Sequence, residues 1–178
     1  MSRLSMSTLE TATGKTAEIM NGIKKAIGMV PNAYATIATH SPAGLQAMLA
    51  VDQALTTGSL SKQELEAIKL LVSESGGCDY CVAAHTMIGK MAGLSAEAIR
   101  AIRFGQPSGN AKLDALLAFL GKLNTQKGTL DAAGFNAVRE AGYTEQQIVE
   151  ALLAVSVITF TNLVNRANNT TLDFPTAN

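Results

Sequence analysis

The sequence predicts an all-α bundle. Strand signals are nearly absent, alanine is abundant while aromatics make up only 4% of the chain, and apolar residues recur at helical spacing. About eight helices fit the 178 residues. A first amphipathic helix covers 12–28, and Gly28-Met29-Val30-Pro31 ends it, with Pro31 able to open the next. Ser41-Pro42 reads as an N-cap followed by proline at the first helical position, which opens a helix to about Thr56. Ser61-Lys62-Gln63-Glu64 is a capping box whose helix runs to about Glu74. Gly76-Gly77 breaks the chain. The next helix starts at or near Cys78 and stops around Gly93, and Ser95 caps a short helix to Phe104. Residues 105–110, rich in Gly, Pro, Ser and Asn, form the clearest loop. Helices over 111–127, 130–141 and 144–167 complete the chain.

"LSKQELEAIKLLVS" (60–73) resembles "YTEQQIVEALLAVS" (143–156). Each begins with a capping box, Ser61/Glu64 in one and Thr144/Gln147 in the other. The pattern is a candidate internal repeat of two helices in which only the first copy carries sulfur. Chance likeness of two amphipathic Ala/Leu helices is the competing explanation. No linker or low-complexity stretch marks a boundary, so one domain over 1–178 is expected, with loose termini at about 1–11 and 176–178.

Composition narrows the function. The chain is 47% hydrophobic and 16% charged, against roughly 25% charged in an average soluble chain. This points to surface buried between subunits. Fourteen basic residues balance fourteen acidic ones, which argues against nucleic-acid binding, where a basic excess neutralises phosphates. No apolar run reaches the roughly 20 residues that span a bilayer, and the N-terminal stretch lacks a signal core. A cytoplasmic protein is expected. There, two cysteines in C-x-x-C spacing suit catalysis or metal binding better than a structural staple.

Both cysteines and one of the two histidines lie in "GGCDYCVAAHTM" (76–87). On a helical wheel Cys81 and His85 fall about 60° and 20° from Cys78, so all three share one face. Cys81 and His85 are i,i+4 neighbours. Cys78 stands in the first turn, where the unpaired N–H groups and the helix dipole stabilise a thiolate. A low-pKa thiol, a base and a second thiol together suit nucleophilic redox chemistry. A zinc site would need a fourth ligand, from His40 or a carboxylate. Inert packing of small hydrophobic side chains is the third reading. A thioredoxin-like context is absent, because a helix rather than a strand leads into the motif.

Which carboxylate assists is open on spacing alone. Glu66 lies on a polar stripe with Lys62, Lys69 and Ser73 that reads equally well as a solvated face, and Glu74 stands four residues before Cys78. His40 reads as structural, Asn162 and Asn165 as structural or interface residues with lining of the pocket as the lesser alternative, and Asp52 as solvent-facing.

The arrangement of Glu66, Cys78, Cys81 and His85 within "ELEAIKLLVSESGGCDYCVAAHT" resembles the alkylhydroperoxidase AhpD-like proteins of the carboxymuconolactone decarboxylase-like superfamily. Softer similarity lies in "GMVPNAYATIATHSP" (28–42), "LDALLAFLGKL" (113–123) and "FTNLVNRANNTTLDFP" (160–175). The resemblance implies an AhpD-like helical bundle that assembles as a trimer or hexamer. It implies a thiol-dependent peroxidase acting on alkyl hydroperoxides, with no cofactor or metal. Cys81 would attack the peroxide, Cys78 would resolve the sulfenic acid, and His85, aided by Glu66 through a water, would take the proton. A lipoyl-bearing or thioredoxin-type protein would return the electrons. Tyr80 stands where the best-known members have a second histidine, and at neutral pH its phenol is no base. A zinc-binding or redox-sensing module and a decarboxylase-type enzyme are the alternatives.

Overall fold

The computed structural model describes residues 2–177 and is all-helical, with nine helices and no strand among them. They are α1 (Gly14–Ile27), α2 (Asn32–His40), α3 (Pro42–Thr56), α4 (Lys62–Ser75), α5 (Asp79–Met91), α6 (Ala96–Arg103), α7 (Ala111–Thr125), α8 (Ala132–Glu140) and α9 (Glu145–Asn168). The count exceeds eight because the short α2, opened by Pro31, stands as a separate helix between α1 and α3.

The helix starts are set by local chemistry. Ser41, Ser95 and Asn110 each accept a backbone N–H with the side chain. Both capping boxes form complete reciprocal pairs, at Ser61/Glu64 and at Thr144/Gln147. α1 ends on Gly28 in the left-handed conformation (φ 84°), where a side chain would be strained, and the Gly28 N–H closes the turn on the Lys24 carbonyl at 2.8 Å.

α4 lies at the centre and packs against α5, α6, α7 and α9. Its Ile68 and Leu70 are fully buried, together with Leu45 and Leu55 of α3, Ile102 of α6 and Leu116 and Leu120 of α7. Each such side chain removed from water stabilises the fold by about 1.5–3 kcal/mol. α4 and α9 run parallel. At their N-terminal ends Tyr143 Oη donates to Glu64 Oε1 (2.7 Å) and Gln147 Nε2 to the Ser59 carbonyl (3.1 Å). Further along, the buried Ser73 hydroxyl donates to Asn162 Oδ1 (3.2 Å).

The two-helix repeat does not form. The first copy breaks at Gly76-Gly77 into α4 and α5, whereas the second continues unbroken through 24 residues of α9. At Gly76 a Cβ would come within 2.9 Å of the Val72 carbonyl oxygen, and Gly77 is left-handed at φ 65°. The aligned residues in α9, Thr159 and Phe160, are compatible with helix, so nothing interrupts it there.

α9 also alters the expectation about apolar runs. By length and composition alone it could cross a membrane, with a mean hydropathy of 1.7 over its most apolar window. Its inner side carries the buried amides Asn162, Asn165 and Asn168 against the bundle. The segment before α1 is helix-free but tied down. Arg3 N–H and Leu4 N–H donate to Asn168 Oδ1 at 3.0 and 2.7 Å, and Ser7 N–H donates to Thr39 Oγ1 at 2.9 Å. Met1 and Asn178, within the termini expected to be loose, lie outside the described residues.

Candidate functional site

The break after α4 builds the site. The Cys78 N–H donates to the Ser73 carbonyl (3.0 Å), turning the chain sharply, and Cys78 becomes the N-cap of α5. In place of the usual Ser or Asp oxygen, its sulfur accepts the Cys81 N–H at 3.3 Å. Both thiols are free and buried, Cys78 1% and Cys81 3% exposed. They lie in a small apolar cluster with Ala33, Val72, Tyr80 and Ile158, separate from the main core.

The two sulfurs share charge unequally. The hydrogen bond from the Cys81 thiol is the main force holding the Cys78 thiol below the ordinary thiol range. Burial opposes it, and the Cys81 N–H and the Arg166 guanidinium support it. The same hydrogen bond, together with burial and the charge on Cys78, pushes the Cys81 thiol up, against the pull of donors from Asn165 and Thr161.

Glu66 and His85 meet directly. His85 Nδ1 donates to Glu66 Oε2 at 2.7 Å, with only 13% and 10% of the two side chains exposed. Burial alone would raise the Glu66 carboxyl, yet the charge and hydrogen bond of His85, with Lys69, hold it below the usual carboxylate range. With Nδ1 engaged, Nε2 is the nitrogen left to face the cavity. Lys69 Nζ stands 3.0 Å from Asp52 Oδ1 and 3.8 Å from Glu66 Oε1.

These groups surround a cavity of about 330 Å³. Cys81, His85, Lys69, Asp52 and Asn165 reach its wall, and most of the remainder is apolar, including Met29, Met87, Ile88, Met91 and Phe174. Phe174 packs edge-on to Tyr80 at 5.5 Å. Tyr80 Oη donates to Asp173 Oδ1 (2.7 Å) and accepts the Ala33 N–H (3.2 Å). Burial and Asp173 push its phenol well up, so Tyr80 holds the C-terminal segment in place and takes no proton.

Several expectations change. The polar stripe of α4 is not a solvated face, because Ser73 is fully buried and Glu66 is 8% exposed, covered by neighbouring helices. Asp52 turns to the cavity and Lys69 rather than to solvent. Glu74 is bound to Arg103 Nε at 2.6 Å and serves the α4–α6 contact instead of the sulfurs. His40 holds the Ser5 carbonyl through Nε2 (2.9 Å), a structural contact. Asn162 is structural too, donating to the Val72 carbonyl (3.3 Å). Among the described residues no group of three or more His, Cys, Asp or Glu is placed to hold a metal, so the zinc reading finds no donor set.

Sequence reasoning gave Asn165 a place at the pocket only as a lesser alternative to a structural role. Its Nδ2 donates to Cys81 Sγ at 3.3 Å, while its Oδ1 is buried without a hydrogen-bond partner. An amide at an inward position of an otherwise apolar helix was the available signal. What it faced depended on how α9 lies against α5.

Residues 42–121, from the start of α3 into α7, match the model of the carboxymuconolactone decarboxylase family. A comparison with curated proteins finds no match. Among solved structures, the chain is similar to an AhpD-core, uncharacterized peroxidase-related protein from Ralstonia eutropha JMP134. The TM-score is 0.84 at 23% identity, over 97% of this chain and 92% of that one. A peroxidase-related protein from Silicibacter sp. TM1040 aligns with a TM-score of 0.80 at 22% identity, over 95% and 89%. The debrominase Bmp8 aligns with 0.79 at 19%, over 96% and 92%. At these identities the likeness is one of fold. The family match runs through the sulfur motif, and the same helical fold extends over nearly the whole length of this chain.

Proposed function

We propose that the protein is a thiol peroxidase that reduces alkyl hydroperoxides with the Cys78/Cys81 pair. The observation that carries this reading is the meeting of Cys81 and the Glu66-bound His85 on the wall of one apolar cavity, with Cys78 bonded to Cys81 behind it. The more acidic sulfur is Cys78, but Cys81 is the one that reaches the cavity. Cys81 attacks, passing its proton to Cys78 along their hydrogen bond or to His85 Nε2. The Cys81 thiolate takes the outer peroxide oxygen, the O–O bond breaks, and the alcohol leaves with a proton delivered from the site. Cys78 then displaces hydroxide from the Cys81 sulfenic acid, giving a disulfide and water. A thiol reductant returns the two electrons. Glu66 orients His85 and stabilises positive charge on it.

An apolar wall favours a hydroperoxide with a hydrocarbon body over hydrogen peroxide itself. The outer side of α9 leaves Val149, Leu153, Phe160 and Leu163 exposed in one stripe, and a second copy of the chain covering it accounts for the low charge content.

The test is a free-thiol count with intact mass, before and after one equivalent of cumene hydroperoxide. Loss of both thiols with loss of two hydrogens is expected. Persistence of both thiols, or one oxygen that adds and stays, overturns the reading. A second reading has one observation in its favour. A structural neighbour named a debrominase has a cysteine-to-alanine variant captured with 2,3,4-tribromopyrrole on this same fold. A dithiol can equally take up a halogen and release halide, so halide measurement on a brominated pyrrole separates the two. Activity that survived loss of both cysteines would instead indicate decarboxylase-type chemistry.

A further inference from the structure

The two cysteines line different chambers. The apolar cavity includes Cys81 in its wall and not Cys78. A second depression of about 450 Å³ includes Cys78 and not Cys81. Its wall is polar, with Asp79, Arg166, Thr170 and Thr171 among its residues. Tyr80 and Asn165 border both chambers and separate them. Asn165, 3% exposed, has its Oδ1 unpartnered at this divide.

We infer that the polar chamber is the port through which a thiol on a slender, polar chain re-reduces the Cys78–Cys81 disulfide, by attack on Cys78. The inference rests on the dithiol reading above and adds where the electrons enter and from what kind of donor. Displacement at a disulfide sulfur is in line, so the incoming thiolate must approach Cys78 from the side away from Cys81. The polar chamber borders Cys78 and not Cys81. Cys78 is 1% exposed, which excludes a thiol set flush in a globular surface and selects one on a narrow arm. Asp79 and Arg166 face the chamber with opposite charges, so a hydrated polar chain suits it and an apolar one does not.

The donor thiolate forms a mixed disulfide with Cys78, the Cys78–Cys81 bond breaks, and Cys81 leaves as a thiolate. That thiolate is received by the Asn165 amide and protonated within the His85 site. A second donor thiolate attacks the donor sulfur of the mixed disulfide and frees the Cys78 thiolate. Two donor thiols are oxidised to one disulfide, and the protein pair gains two electrons and two protons.

The test starts from a disulfide closed with diamide, so it does not depend on whether peroxide is a substrate. Reduced glutathione is added, the reaction is stopped by rapid alkylation, and peptides are mapped. The expected result is glutathione on Cys78 and the alkyl group on Cys81, by about tenfold or more over the reverse. Saturating cumyl alcohol, an occupant for the apolar cavity, leaves the reduction rate unchanged. Thr171→Trp, which fills the polar chamber, slows reduction by roughly tenfold. Mapping on the unaltered protein keeps the result readable if that variant folds poorly. Glutathione found chiefly on Cys81, reduction competed by the alcohol, or failure of diamide to close the bond would each overturn the proposal.

Discussion

Two stretches of this chain begin alike and end differently. Residues 60–73 and 143–156 each open with a capping box and bury an apolar face in the bundle. Past that point the first breaks at Gly76-Gly77 and restarts at a cysteine, while the second runs on as one helix. The broken copy gains a helix N-terminus at the site, with unpaired N–H groups beside a sulfur. The unbroken copy gains rigidity and uses it to present Thr161, Asn162 and Asn165 to its partner. Thr161 stands at the aligned position of Cys78. One copy carries the reactive groups, and the other holds donors around them.

The sharpest way to break this comparison is to remove chemistry from the broken copy. Cys81→Ser is expected to abolish hydroperoxide turnover while leaving the circular dichroism spectrum and melting temperature near those of the parent. Retained turnover would remove Cys81 from the reaction. His85→Gln should slow thiolate-dependent oxidation by about 10²–10⁴-fold, the usual worth of a positioned base, read as the stopped-flow rate of thiol loss.

The break itself comes next. Gly77→Ala forces an alanine into the left-handed region and should cost about 1–2 kcal/mol in urea unfolding. Replacing the aligned Phe160 by Ala alters no backbone constraint and tests whether the penalty belongs to the turn. On the unbroken copy, Asn165→Leu removes the donor to Cys81 and should raise the pH midpoint of Cys81 alkylation, where Asn162→Leu should chiefly lower stability.

The smallest effects sharpen the likeness. Ser61→Ala and Thr144→Ala should each cost about 1 kcal/mol, since both caps make the same reciprocal bonds. A pH dependence is expected from the broken copy. The Glu66 carboxyl is held below its ordinary 4.5 in the folded chain. The stability it contributes is therefore complete above that value and is lost as pH falls through the lower folded one. Thermal melts of Glu66→Gln should show a shallower acid limb than the parent as pH falls below the carboxyl's ordinary 4.5.

The helices were legible because their signals are local. Capping boxes at Ser61 and Thr144, Pro42 after Ser41 and the Gly76-Gly77 break act through neighbours within a turn. The shared face of Cys81 and His85 follows from helical geometry in the same way, whereas Cys78 is the non-helical N-cap of α5 and lines a different chamber. Spacing alone could not choose between Glu66 and Glu74, because the choice depends on which helix covers each. α5 brings His85 onto Glu66, and α6 brings Arg103 onto Glu74. Asp52 and Asn165 were misjudged for the same reason, their partners lying on α4 and α5. The repeat was half legible, since its caps are local and its fate past residue 156 was decided by two residues, Thr159 and Phe160, in place of glycines.

By itself the sequence determined the all-α class, the helix starts, the break and the clustering of sulfur and imidazole on one turn-spaced face. These depend on backbone propensities and side-chain reach within a few residues. The tertiary structure decided which carboxylate meets His85, which sulfur faces the apolar cavity and which the polar one, and where the buried Asn165 amide points. Each of those is a contact between elements distant in sequence, fixed by how α4, α5 and α9 pack and by where the C-terminal segment lies across them.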